Sequence, residues 1–170
     1  MSNAILIRDA SPAELDEIDA LVKAAYLEFR PLFPEKVWQA WMDNVSQTVR
    51  AAEGMLIVAV EREVIQGAIK FYPDASRSGM GQWPEGVAAI RILAVSPQAR
   101  GRGYGTLLAR ECVRRAEAMQ ISTIFLFTGE FMYAARHIYE KLGFRRAPEF
   151  DRDPGPIAYH LDLRTMSSEQ

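Results

Sequence analysis

Cysteine is all but missing from this chain. Cys112 stands alone among 170 residues, which excludes an intramolecular disulfide framework and points to a reducing, intracellular compartment. Histidine is scarce too: His137 and His160 lie far apart in sequence, neither belongs to a cluster with metal-ligand spacing, and no metal is expected. Neither sign of charge dominates. Twenty basic residues against 22 acidic ones leave a formal net charge of −2, so the RGRG string at residues 100–103 belongs to no broad basic field that would attract nucleic acid. No apolar run approaches the roughly 20 residues of a membrane span, and at the N-terminus Arg8 and Asp9 follow only four apolar residues. Repeats and low-complexity tracts are lacking as well. These absences together predict a cytoplasmic protein that uses neither nucleic acid nor a membrane as partner.

What is present is ordinary globular composition, 49% hydrophobic and 25% charged, in a length that suits one domain over residues 1–170. A first strand is expected at residues 4–8. Ser11, Pro12 and Glu14 then form a helix-start signature, and Leu15, Ile18, Leu21, Val22 and Ala25 recur at helical spacing to about residue 29, where Pro31 and Pro34 intervene. A second helix is expected from residue 35 to about 52, with Val37, Trp38, Trp41, Met42 and Val45 as its apolar stripe. Strands at 55–60 and 64–72 flank a charged turn and read as a hairpin, although no Asn-Gly or Asp-Gly pair marks it. Residues 74–86 are loop chemistry of functional length, with Trp83 inside.

The stretch that organises the rest reads AIRILAVSPQARGRGYGTLL, residues 89–108. A buried strand over 90–95 is ended by Ser96, Pro97 and Gln98, and Gly101, Gly103 and Gly105 alternate just before a helical pattern. Glycines let successive N–H groups turn toward one centre, the helix dipole favours negative charge there, and Arg100 and Arg102 add cations. The arrangement is that of an anion cradle suited to a pyrophosphate; without a ligand it would be a tight strand-to-helix turn. The dinucleotide fingerprint requires a third glycine where Thr106 stands, and the P-loop requires a lysine after its last glycine, so neither fits.

What remains resembles the pyrophosphate loop of the GNAT superfamily of acyl-CoA-dependent N-acetyltransferases, whose pattern Arg100, Gly103 and Gly105 match. The likeness continues in an apolar strand at 123–127 and a helix carrying AARHIYEKLGF, residues 134–144, with Gly143 suited to a left-handed cap and Phe144 placed to touch Tyr139. A final strand is expected at 157–163, and the polar tail from Thr165 is expected to fray.

The resemblance implies an α/β (α+β) single domain with a mixed, mostly antiparallel sheet of six to seven strands flanked by helices. It implies acetyl-CoA or another acyl-CoA as co-substrate, no metal, and an amine acceptor, small molecule or peptide, attacking the thioester directly; a homodimer is left open. Coenzyme-binding positions carried over by the motif are Leu93, Ala94 and Val95 on the strand and Arg100, Gly101, Arg102, Gly103, Tyr104, Gly105 and Thr106 on the loop. Tyr139 is the implied proton donor to the leaving thiolate. As an ordinary core residue it would fit the same helical spacing.

Two positions depart from the family. Ala89 stands where many members carry a Glu as base, and Met132 where an Asn often binds the pantetheine arm. Glu28, Glu85 and Glu130 are candidates for a replacement base, without a ranking. Tyr26, Phe29, Trp38, Trp41, Tyr72 and Trp83 come from elements that the family places around the acceptor, though ordinary core packing is the better reading for most of them. Cys112, in the apolar stripe with Tyr104, Leu107, Leu108, Val113 and Ala116, reads as a buried small hydrophobe, and His137 as surface. An alternative to the enzyme is a non-catalytic acyl-CoA-binding protein of the same fold.

Overall fold

The structure is a computed structural model and describes residues 4–164. The tail expected to fray from Thr165 lies outside the described residues. Seven strands form one sheet in the order β1-β2-β3-β4-β5-β7-β6: β1 Leu6–Asp9, β2 Met55–Glu61, β3 Val64–Tyr72, β4 Ala88–Val95, β5 Thr123–Thr128, β6 Arg145–Arg146 and β7 Ile157–Asp162. Among the described residues the bounded α-helices are α1 Leu15–Tyr26, α2 Glu35–Arg50, α3 Tyr104–Ala118 and α4 Tyr133–Lys141. The sheet is mixed and mostly antiparallel. Its parallel pair is β4 with β5, registered from Ala88 opposite Ile124 to Ile90 opposite Leu126.

The chain divides into two compact units, one running up to Lys70 and taking in Ile92–Leu108, the other Phe71–Arg91 with the residues from Ala109 on. In the first unit, Ser11 donates its N–H to Glu14 Oε1 at 2.8 Å, the reciprocal half of the expected capping signature, and Arg8 clamps the same carboxylate with two bonds of 2.8 Å. The helix that follows is shorter than its apolar spacing suggested. It ends at Tyr26 and gives way to a 3-10 segment, Leu27–Leu32, with Pro31 inside it; in a continued α-helix the proline ring would clash with the Leu27 carbonyl.

The stripe of α2 buries Trp38, Met42, Val45 and Val49, whereas Val37, assigned to it from spacing, is exposed. Asp19 of α1 sits buried and accepts from Ser46, Arg50 and Lys23. Burial alone would raise its carboxyl, but the bonds from Lys23, Ser46 and Arg50 outweigh that and hold it below the ordinary range. Lys70 of β3 is buried and directs its ammonium at the end of α2, donating to Thr48 O at 2.5 Å and Ala51 O at 2.8 Å. A cation there answers both the unsatisfied carbonyls and the negative end of the helix dipole. Between β2 and β3, Arg62 and Glu63 take φ of 53° and 65°. Two successive left-handed residues make a type I′ hairpin turn, built here without glycine or asparagine.

In the second unit β5 pairs antiparallel with β7 along its whole length, Thr123 opposite Asp162 through Thr128 opposite Ile157, and the two-residue strand β6 adds to β7. Tyr72, Ala75, Val87, Ala89, Phe125, Ala147 and Ala158 form a buried cluster against which Trp83, Phe127 and Phe150 pack. β6 had no signal in the sequence pattern.

Candidate functional site

Pairing of β4 with β5 stops at Ile90, and two residues later Ile92 takes φ +52°. A β-branched residue in the left-handed region is strained, so the strand is held out of regular geometry just before Leu93, Ala94 and Val95. Tyr26, at the end of α1, donates its hydroxyl to Leu93 O at 3.0 Å and pins that segment from the helix side. On the other edge Gly67 admits the strand: a Cβ there would lie 2.9 Å from Ala94 O.

After Val95 the chain passes through a 3-10 turn at Pro97–Ala99, buries Ala99, and enters the glycine loop. Gly101 and Gly103 take φ of +77° and +88°, and no atom lies within 4 Å of where a Cβ would stand on either. Left-handed backbone on alternate residues is the geometry that turns N–H groups to one side, and only glycine reaches it without strain. Gly105 differs from its neighbours: it lies inside the first turn of α3, which begins at Tyr104. Leu107 donates the first helical bond, to Gly103 O at 3.1 Å. The N–H groups of Tyr104, Gly105 and Thr106 precede the first bond of the helix, and α3 has no acidic residue in its first turn. Such donors at the positive end of a helix, walled by open glycines, fit a diphosphate and leave room for it.

The two arginines are not free counter-charges. Arg100 donates from Nη1 to Glu28 Oε2 and from Nη2 to Ala25 O at 2.8 Å, tying the loop's first residue to the end of α1. Arg102 donates to Glu61 Oε2 at 3.1 Å, with its guanidinium carbon 5.6 Å from the centroid of the Tyr104 ring. The buried Tyr104 gives its hydroxyl to that same oxygen of Glu61. Accepting the phenol's proton in a hydrogen bond, the Glu61 carboxylate pushes Tyr104 above its usual pKa. Glu61 had been read from sequence only as part of a charged turn. Its partners lie 41 and 43 residues away, so no local pattern announces them.

In the second unit Tyr139 is buried in α4, its ring centroid 5.5 Å from that of Phe144. Phe144 N donates to Tyr139 O at 3.0 Å and Gly143 N to Glu140 O at 3.1 Å, with Gly143 at φ +101°. These bonds make a Schellman closure, and they fix the tyrosine's backbone as well as its ring. One residue on, Glu140 accepts from the hydroxyl of the fully buried Tyr159 at 2.6 Å, and Arg136 donates to the same hydroxyl at 3.1 Å. Burial raises the Tyr159 phenol, as does its bond to Glu140.

Met132 precedes α4 and turns its sulfur back, 3.4 Å from Gly129 N and 3.7 Å from Thr128 Oγ1. The thioether thus accepts from the loop that leads into α4 and caps none of the helix's own N–H groups. Ala89 is buried and carries no acid. Of the base candidates, Glu28 is held by Arg100, while Glu85 and Glu130 are exposed. Tyr26, Phe29, Trp38 and Trp41 gather with Phe33 into one ring cluster centred on Trp41, and Tyr72 is core. Trp83 stacks on Phe125 with centroids 4.9 Å apart and lies tilted against Phe127 at 4.6 Å. His137 is exposed, and burial pushes the Cys112 thiol far up, leaving it inert. Among the described residues no group of His, Cys, Asp or Glu could hold a metal ion.

The model of the acetyltransferase (GNAT) family matches residues 15–144, which include β4, the glycine loop, α3, β5 and α4. The chain belongs to the GNAT acetyltransferase family. An uncharacterised N-acetyltransferase of Schizosaccharomyces pombe is 24% identical to this GNAT protein over 156 residues, 89% of each chain. Among solved structures, the PaiA N-acetyltransferase of Thermoplasma acidophilum in complex with coenzyme A aligns with a TM-score of 0.71 at 14% identity, over 94% of this chain and 99% of that one. A GNAT family acetyltransferase of Brucella melitensis in complex with acetyl-CoA aligns at 0.64 and 22% identity, over 95% and 90%. At such identities the likeness is one of fold.

Proposed function

We propose that the chain is an N-acetyltransferase, one catalytic domain over residues 1–170, that moves an acetyl or other short acyl group from acyl-CoA to an amine by direct attack on the thioester. The observation that carries this reading is the pair of left-handed glycines, Gly101 and Gly103, directly ahead of α3, whose first N–H groups, at Tyr104, Gly105 and Thr106, precede the helix's own bonds. In this reading Arg100, Gly101, Arg102, Gly103, Tyr104, Gly105 and Thr106 form the loop that holds the diphosphate. The backbone of Leu93, Ala94 and Val95 takes the pantetheine arm, with Tyr26 and the strained Ile92 keeping that segment irregular. Acyl-CoA supplies the activated thioester.

Tyr139 serves as the proton donor to the departing thiolate, since a thiol pKa of ~8.5 leaves the thiolate in need of a proton at neutral pH. The attacking amine must be neutral. With Ala89 in place of an acid and Glu28 tied to Arg100, proton removal falls to water or to an exposed carboxylate. The chain works in the cytoplasm, where acyl-CoA is available, on a small-molecule or peptide amine, without metal, nucleic acid or membrane.

The losses at Ala89 and Met132 favour a second reading, a protein that binds acyl-CoA without turning it over. Incubating acetyl-CoA with a panel of amines, amino acids, polyamines and peptides while following thiol release separates the two. Acceptor-dependent release supports the enzyme; coenzyme binding with no release for any acceptor class supports the second reading.

A further inference from the structure

We propose that Glu61 is a positioning residue for the glycine loop: at the end of β2 its carboxylate grips the residues on both sides of Gly103 and holds the loop's N–H groups ready for the coenzyme diphosphate. The inference rests on reading residues 100–106 as the diphosphate site.

A loop with glycine at 101 and 103 has more conformations to lose than any other, and nothing lies within 4 Å of the missing Cβ positions to limit them. Order must therefore come from the residues between and after the glycines. Arg102 and Tyr104 both end on one atom, Oε2 of Glu61. Their contributions differ. The Arg102 side chain is 57% exposed, so its ion pair is screened and weak, whereas the Tyr104 phenol is buried and the Glu61 side chain only 13% exposed. The shielded phenol-to-carboxylate bond is the strong one. It fixes the first residue of α3 and with it the direction of the helix's first N–H groups.

A carboxylate next to an anion site would ordinarily oppose binding. Here the charge is spent locally on Arg102 and Tyr104, which explains how an acid is tolerated beside the loop. Glu61 is itself held in place by β2 and by the left-handed pair Arg62 and Glu63 that follows it.

The test titrates CoA, and pantetheine as a ligand without the diphosphate, into the wild type and into Glu61→Ala, Glu61→Gln and Tyr104→Phe, with circular dichroism as the check on folding. Amide spectra report the Gly101 and Gly103 resonances in the free proteins. Glu61→Ala and Tyr104→Phe are expected to weaken CoA about tenfold, the scale of a lost hydrogen bond to a charged group, and to move both glycine resonances. Glu61→Gln keeps an acceptor for Tyr104 but loses the ion pair and the charge behind the phenol bond, and is expected to fall between wild type and Glu61→Ala, about threefold weaker than wild type. Should Glu61→Ala not fold, the other two variants carry the comparison. CoA affinity unchanged in Tyr104→Phe, a Glu61→Gln as weak as Glu61→Ala, or an equal loss for pantetheine would each overturn the grip. No CoA binding by the wild type would overturn the diphosphate reading itself, and this inference with it.

Discussion

Phe144 donates its N–H to the Tyr139 carbonyl at 3.0 Å and sets its ring 5.5 Å from the Tyr139 ring, so the cap that ends α4 also fixes the side chain proposed as proton donor. The Schellman bonds require Gly143 at φ +101°, a conformation glycine alone takes without strain. Helix termination and site geometry are thus one structure in this part of the chain.

Coenzyme binding is expected to stabilise the fold. At ~100 times its dissociation constant a ligand adds about 2.7 kcal/mol, or roughly 5 to 10 °C in a domain of this size. Thermal denaturation with CoA, acetyl-CoA, NAD and ATP checks it. A shift with NAD or ATP but none with millimolar CoA would speak against the loop as a CoA site.

Gly103→Val should abolish that shift while leaving the protein folded. At φ +88° a β-branched residue costs on the order of 1 to 3 kcal/mol, and its methyls would occupy the open space that the loop keeps clear. Calorimetric titration alongside circular dichroism measures both effects. CoA affinity within a few-fold of wild type would place the phosphates elsewhere.

Lys70→Met is expected to destabilise by about 2 to 4 kcal/mol, because the carbonyls of Thr48 and Ala51 would lose a charged donor in a buried setting. Urea denaturation gives the number. Hydrogen exchange should show the last turn of α2 opening first, and a loss below about 1 kcal/mol would mean that water replaces the ammonium there.

Local chemistry was legible in the sequence wherever one stretch of chain closes on itself. Ser11 and Glu14 cap a helix start three residues apart, and Tyr139, Gly143 and Phe144 close a helix end within six, so spacing alone announced both. The strand, glycine loop and helix at residues 89–108 were legible for the same reason. Long-range pairing was not. Arg100 and Arg102 read as cations at the anion site, yet their carboxylate partners lie 72 and 41 residues back, on α1's extension and on β2. The hairpin was legible from its two strands and charged turn, but the turn's type was not: Arg62 and Glu63 adopt left-handed backbone that their residue types disfavour, under the pairing of the strands on either side. The two-residue β6 owes its existence to β7 and has no periodicity of its own.

Acid should unlatch the start of α1. The Arg8 guanidinium, bonded to both oxygens, and the Ser11 N–H lower the Glu14 carboxyl from 4.5 to about 2. Its folded pKa lies below the unfolded one, so the stabilisation is fully present above about 4.5 and drains away as pH falls toward 2. With both partners partly exposed the contribution is about 1 to 2 kcal/mol. Glu14→Gln should lose that amount at pH 7 and match wild type near pH 2, which urea titrations at both pH values would show. An undiminished difference at low pH would assign the effect to packing.

Tyr139→Phe removes the hydroxyl with whatever bond it makes and keeps the ring. The ring keeps its place against Phe144, and the Schellman bonds involve only backbone, so fold and coenzyme affinity should hold. Loss of a general acid typically costs ~10² to 10⁴ in rate. The loss should fall on kcat with the amine found in the acceptor panel, leave the KM for acetyl-CoA near its wild-type value, and shrink for donors whose leaving thiol is more acidic, because such thiolates need the proton less. Turnover within about threefold of wild type would make Tyr139 a core residue whose hydroxyl serves packing, and proton delivery would then pass to water or another group.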